Sequence, residues 1–281
     1  MPTLAYRVVD VFTDRAYAGN PLAVVLDADG LGTARMQAMA REFNLSETTF
    51  PTASDAADYR VRIFTPVQEL PFAGHPSIGT GWVLADLHRI RTGAVRQECG
   101  AGILPVDVTA DGGTLTGGTP SVGGPLDPGP LLAAAGLTEA DLTGVPPRTA
   151  STGLPWTFLP VRPESVARVV PDFAALARLD SMGVAPFSWQ DGTERTVHLR
   201  GLTNDGFEDP ATGSATLALG VFLAASGLVP DGTTAYRVSQ GAEIGRPSAL
   251  HGTVTVAGGA ATTATVRGGV VPVATGEIRI P

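Results

Sequence analysis

Four polar residues stand where this chain could move a proton. Glu47 lies in Asn44-Leu45-Ser46-Glu47-Thr48-Thr49-Phe50, after a helical stretch and at the entry to an apolar strand. Its neighbours Leu45 and Phe50 predict an apolar pocket, which would raise the carboxyl pKa toward that of a working acid/base. A surface or capping glutamate is the competing reading of the same residues. His75 and Ser214 each follow a glycine in a repeated motif. Glu69-Leu70-Pro71-Phe72-Ala73-Gly74-His75 aligns without gaps to Glu208-Asp209-Pro210-Ala211-Thr212-Gly213-Ser214, an offset of 139 (208 − 69). Both copies have the form Glu-x-Pro-x-x-Gly-[His/Ser], and both run into an apolar helix. The first N–H groups of a helix have no intrahelical partner, and that end carries partial positive charge. Two such ends turned to one cleft would bind a carboxylate and stabilise the negative charge that develops as a carbon loses its proton. Gly74 and Gly213 would let the ligand approach the backbone closely. The competing reading makes both segments turns and caps, with Ser214 an N-cap.

The elements that must position these groups are short. Leu22 to Leu26, Tyr59 to Phe64, Thr157 to Val161 and Val254 to Val256 are apolar runs bounded by Gly, Pro, Asp and Asn, and predict strands. Thr33 to Phe43 places Met36, Met39, Ala40 and Phe43 at helical spacing. Ser77 to Leu87 and Ala215 to Ala225 are apolar nearly all round, which predicts helices buried inside their domains. Strands wrapped around a central helix, twice over, is the architecture that follows. Two more matches between the halves support a duplication: Gly19-Asn20-Pro21 with Gly153-Leu154-Pro155, and Ala40-Arg41 with Ala177-Arg178. The copies differ where chemistry would sit, with Glu47 opposite Val184, Leu70 opposite Asp209 and His75 opposite Ser214. The Gly/Pro-rich stretch Gly117 to Pro130 is the expected linker.

Composition narrows the classes. The chain has 281 residues, long enough for two domains, and a formal net charge of −8 that argues against nucleic acid or anionic membrane as a partner. The start of the chain lacks a signal-peptide pattern, and no apolar stretch reaches the roughly 18 residues of a membrane span, so a cytoplasmic protein is expected. Cys99 is the single cysteine, which excludes an internal disulfide and reads as a small structural thiol. The four histidines are scattered without metal-ligand spacing, and no dinucleotide or phosphate-loop signature is present, so neither metal nor cofactor is expected. Ser214 also lacks the Gly-x-Ser-x-Gly setting of a hydrolase nucleophile.

Several longer segments carry a resemblance. Val9 to Thr13 with Gly19-Asn20-Pro21, Phe43 to Phe50, Arg62 to Pro66 with Glu69 to Pro76, Glu208 to Ala215, and Gln240-Gly241 with Gly245 to Ser248 closely resemble the PhzF-like phenazine-biosynthesis family. The resemblance spans nearly the whole chain. It implies the α+β diaminopimelate epimerase-like fold: two pseudo-symmetric lobes, each a β-barrel-like sheet around a central helix, with the site between them. It places residues 1–122 in the first lobe, with 268–281 returning to it, and 123–267 in the second. It implies cofactor-independent isomerisation of trans-2,3-dihydro-3-hydroxyanthranilate by proton transfer. Glu47 matches the acid/base, His75, Asp209 and Ser214 its polar partners, and Gly74 and Gly213, with Asn20, the substrate-binding residues. A small carboxylate is then the substrate and a homodimer the expected assembly. Epimerases of this fold carry cysteines after the two glycines, so His75 and Ser214 disfavour two-thiol racemisation. An amino-acid epimerase using Glu47, or a non-catalytic metabolite-binding protein, are the alternatives. After Arg200 the chain reads Gly201-Leu202-Thr203-Asn204-Asp205 where many relatives have Arg-x-Phe-x-Pro, so the pocket wall is expected to differ there.

Overall fold

A computed structural model describes residues 2–281. It forms two compact units, one of residues 2–115 with 267–281 and one of residues 116–266. The first unit contains β1 (Thr3–Val11), β2 (Asn20–Val25), α1 (Thr33–Phe43), β3 (Glu47–Thr52), β4 (Tyr59–Phe64), β5 (Glu69–Leu70), α2 (Gly74–Asp86), β6 (Gly93–Cys99), β7 (Gly102–Thr109) and nearly all of β8 (Gly112–Thr116). The second contains β9 (Ser121–Val122), α3 (Pro128–Ala135), β10 (Arg148–Ser151), β11 (Trp156–Pro160), α4 (Pro163–Val166), α5 (Phe173–Leu176), β12 (Gly183–Gln190), β13 (Thr196–Leu199), β14 (Gly201–Thr203), β15 (Glu208–Asp209), α6 (Gly213–Ala225), β16 (Gly232–Gln240) and β17 (Ser248–Ala257). The last strand, β18 (Ala260–Arg279), begins in the second unit and ends in the first.

Strand pairing closes the first unit. β1 pairs with β2, β2 runs parallel to β3, β3 pairs with β4, β4 runs parallel to β6, and β6, β7 and β8 form a meander. β8 pairs with β18, and β18 returns to β1 from Thr3↔Arg279 to Val11↔Val270. The result is a closed eight-stranded barrel with no free edge in its ring. α2 fills it: Ile78 and Val83 are almost wholly buried, as are the small residues Ser77, Gly79, Thr80 and Gly81. Glycine is required at 79, where a Cβ would come within 2.6 Å of the Leu22 side chain. α1 covers the outside of the barrel, seating Met36, Met39 and Ala40 on Val25, Phe50 and Phe64.

The second unit repeats this plan. β10 pairs with β11, β11 runs parallel to β12, β12 pairs with β13, β13 runs parallel to β16, and β16 pairs with β17. The threonine pair Thr253–Thr265 crosses from β17 to β18. The ring is completed by residues 117–122, since Gly117 N–H donates to Ala264, Gly118 N–H donates to Thr152, and β9 pairs with β10. These bonds explain why the units change over at 115/116, before the Gly/Pro-rich stretch expected as linker. That stretch instead supplies β9 and, from Pro128, the first turn of α3. α6 is the central helix here, and it packs against β10, β11 and β17.

Equivalent details recur in the two copies. The glutamate that opens each motif is held by an arginine two-pronged: Arg62 on Glu69 at 2.7 and 2.6 Å, Arg200 on Glu208 at 2.8 and 2.5 Å. Such forks fix a turn rather than leave a carboxylate for chemistry. The structure also shifts one equivalence by a residue. β2 sets Leu22 beside Glu47 and β11 sets Thr157 beside Val184, so with Leu22 matched to Trp156 the position opposite Glu47 is Gly183, not Val184. Among the described residues, no helix is long and apolar enough to cross a membrane.

Candidate active site

In the first unit, β2 and β3 begin side by side and deliver Asn20 and Glu47 near one end of α2, whose second residue is His75. The His75 ring is buried at 4% exposure, and one ring nitrogen donates to the Pro21 carbonyl. Burial pushes its pKa down to about 3, so the imidazole is neutral at ordinary pH. Its Nε2 stands 3.2 Å from Oε2 of Glu47, close but without the alignment of a hydrogen bond. Pro21 therefore takes the N–H from Nδ1, and Nε2 presents a lone pair to the carboxyl group. Two acceptors at this distance repel unless a proton lies between them. The contact thus marks a place where a proton can be held, at the edge of a Glu47 side chain that keeps 15% of its surface accessible.

One expectation about this pocket fails. Strand side chains alternate between faces, so Glu47 and Thr49 point one way and Phe50 the other. The Thr49 hydroxyl meets that of Thr80 on α2 at 2.8 Å, whereas Phe50 packs beneath α1. The neighbourhood of Glu47 is accordingly made by α2 and His75, not by Phe50.

In the second unit, Asp209 ends β15 and Ser214 is the second residue of α6. Ser214 is not the N-cap; that position belongs to Thr212, and Ser214 Oγ accepts the indole N–H of Trp156 at 3.0 Å. Asp209 Oδ2 accepts the Thr212 hydroxyl at 2.7 Å. Behind them Gln240 is buried at 1% exposure. Its Nε2 donates to the Asp209 carbonyl at 2.7 Å and to Thr212 Oγ1 at 2.8 Å, while its Oε1 accepts the Thr212 N–H at 3.0 Å. Gly74 and Gly213 are the first residues of their helices, and neither N-cap residue, Ala73 or Thr212, makes a side-chain capping bond.

The structure therefore brings Glu47 together with His75 in one unit, and in the other sets Asp209, at the end of β15, against the N-cap of the helix α6 that carries Ser214. Trp156, Thr212 and Gln240 were not singled out as site residues from sequence. Trp156 follows the repeated Gly-x-Pro, and Gln240 opens one of the resembling segments, which were the available signals. Cys99 is buried, and desolvation raises its thiol pKa, as suits an inert structural residue.

Known proteins share this sequence pattern and fold. The pattern of the PhzC-PhzF family, described as phenazine biosynthesis-like protein, matches residues 9–276. An uncharacterized isomerase of Mesorhizobium japonicum is 36% identical, with 100% of both chains covered. The trans-2,3-dihydro-3-hydroxyanthranilate isomerase of Pseudomonas aeruginosa is 35% identical, covering 88% of each chain. Among solved structures, a phenazine biosynthesis protein of the PhzF family from Bacillus anthracis superposes with a TM-score of 0.90 at 26% identity, over 100% of both chains.

Proposed function

The chain belongs to the phenazine biosynthesis-like (PhzC-PhzF) family and is an isomerase, and from that premise we propose that it shifts a proton between carbons of a small carboxylate-bearing metabolite with Glu47 as the acid/base. Trans-2,3-dihydro-3-hydroxyanthranilate is the leading substrate, because relatives of 32–35% identity carry that activity in their names. The observation that carries the reading is the Glu47 carboxyl 3.2 Å from a buried, neutral His75.

In this mechanism Glu47 takes the proton from an activated ring carbon. His75, neutral and fixed by the Pro21 carbonyl, accepts a hydrogen bond from the protonated Glu47 and keeps that proton within reach of the substrate. Glu47 then returns it to another carbon of the conjugated system. The N-terminal amides at Gly74 and Gly213 are assigned to the substrate carboxylate and to the charge that develops during deprotonation, with Asn20 as a further binding residue. Asp209 and Ser214 are assigned to orienting the substrate's polar groups. A cytoplasmic homodimer is part of the same proposal, and light scattering of the purified protein checks its mass.

The experiment is incubation of the purified protein with trans-2,3-dihydro-3-hydroxyanthranilate in heavy water, followed by NMR. Conversion by wild type and its loss in Glu47→Gln is the expected result. No conversion by wild type removes this substrate, and the same assay on a panel of cyclic dienoic and amino acids then reads the class. Deuterium at an α-carbon with inversion there would assign an epimerase instead.

A further inference from the structure

The buried contacts behind Asp209 have a direction. Gln240 can be placed only one way round: reversing its amide would set NH2 against the Thr212 N–H and oxygen against the Asp209 carbonyl. Its Nε2 therefore donates to Thr212 Oγ1. The Thr212 hydroxyl, with a donor already on its oxygen, sends its own proton to Asp209 Oδ2. The carboxyl oxygen thus receives a proton donor from within the protein, which fixes which way it faces.

Two independent features agree that this clasp is built for the acid. The first is the internal repeat. Asp209 and Thr212 lie 139 positions after Leu70 and Ala73, and the structure sets Gln240 opposite Cys99, since Gly241 approaches Pro210 as Gly100 approaches Pro71. The half without the acid lacks the hydroxyl and the amide as well, so the three polar residues occur as a set or not at all. The second is Gly201, in the segment where this chain departs from many relatives. A Cβ there would lie 2.5 Å from Thr212 Oγ1 and 2.7 Å from Gln240 Nε2. Only glycine leaves the clasp its room. The turn is held from the other side too, because Ser248 Oγ donates to the Pro210 carbonyl at 2.9 Å and a Cβ at Gly241 would strike that carbonyl at 2.5 Å.

We propose that Gln240 and Thr212 are positioning residues of this enzyme, which act through Asp209 by holding its carboxylate in one orientation as a hydrogen-bond acceptor. The kinetic part of the test rests on the proton-shift reading, and the structural part does not.

The variants are Thr212→Val, which keeps shape and removes the hydroxyl, Thr212→Ser, which restores it, and Gln240→Glu, which removes the Nε2 donor. Each is made alone, and Thr212→Val also in an Asp209→Asn background, with thermal unfolding recorded for all. With trans-2,3-dihydro-3-hydroxyanthranilate as probe, Thr212→Val is expected to lower kcat by about 10- to 100-fold, the range of a hydrogen bond to a charged group. Thr212→Ser recovers most of that loss, and Thr212→Val adds nothing once Asp209 is Asn. Full turnover in a folded Thr212→Val protein, or an undiminished loss in the Asp209→Asn background, overturns the proposal. Crystal structures of Thr212→Val and Gln240→Glu decide it without any substrate. The Asp209 side chain leaves its wild-type rotamer if the clasp positions it, and an unchanged rotamer in both variants refutes the role. Wild type that fails to convert the probe counts against the substrate reading alone, because the rotamer result still stands.

Discussion

Glu47 and His75 are the residues on which the proposed chemistry turns, and each has its own measurement. Glu47→Gln keeps shape and hydrogen-bonding capacity but removes the titratable group. It is expected to lower turnover by on the order of 10²- to 10⁴-fold, the usual share of positioned acid/base catalysis, with substrate binding changed much less. Near wild-type turnover in steady-state kinetics removes Glu47 from the mechanism. His75 makes a claim about stability. Its pKa falls from 6.5 unfolded to about 3 folded because burial penalises the charged ring. Its contribution is therefore fully present above pH 6.5 and is lost as pH falls from there toward 3, by about 2 kcal/mol at pH 5. Urea unfolding of His75→Gln at pH 8 and pH 5 should show a smaller difference than wild type, and an equal difference sinks the assignment. His75, Asp209 and Ser214 were legible in the sequence because a repeated motif carries them. Trp156 and Gln240 were not, because their partners Ser214 and Thr212 are 58 and 28 residues away and only folding brings them together. The pairing of Glu47 with an apolar Phe50 failed for a local reason: three steps along a strand is the opposite face.

The two central helices raise a different question, since glycine is a poor helix former yet recurs in both. In α6, a Cβ at Gly220 would lie 2.8 Å from Val254 Cβ and 2.9 Å from the Tyr236 hydroxyl. That hydroxyl donates to the Thr216 carbonyl at 2.7 Å, so it cannot retreat without losing its bond. Gly220→Ala gains helix propensity of about 1 kcal/mol but overpacks the barrel, and a net loss of about 1–2 kcal/mol in chemical denaturation is expected. A stabilised variant would show that the strands yield at this point. The sequence pattern predicts α1 with its observed limits, and predicts the apolar bodies of α2 and α6. It starts both central helices late, at Ser77 and Ala215 instead of Gly74 and Gly213. Glycine and proline read as helix breakers, yet the first turn needs no N–H partner, so Pro76 sits there without cost. The parallel pairings β2–β3, β4–β6, β11–β12 and β13–β16 were not legible, because apolar runs identify strands without naming their neighbours.

At the scale of the molecule, the duplication is the feature that the sequence shows most openly and the structure extends furthest. The order of paired strands, the central helix and the Arg–Glu fork all recur, while the polar groups of the two units differ. Closure of the first unit depends on β18, which supplies the strand between β1 and β8. A chain ending at Val266 should leave β1 and β8 with open edges. Hydrogen exchange by mass spectrometry is expected to show β1 to β4 losing protection while β10 to β17 keep theirs. Undiminished protection of β1 in the shortened chain would mean that the barrel closes without its last strand. The same dependence has a consequence for how the protein is made. Residues 1–115 leave the ribosome first but cannot close until 267–281 have followed. At roughly 5–20 residues per second that interval is about 10–30 s. The half that carries Glu47 is thus begun before the other and completed after it. For that time its unpaired strands are open to other nascent chains, and synthesis of β18, rather than emergence of residues 2–115, sets when this barrel can close.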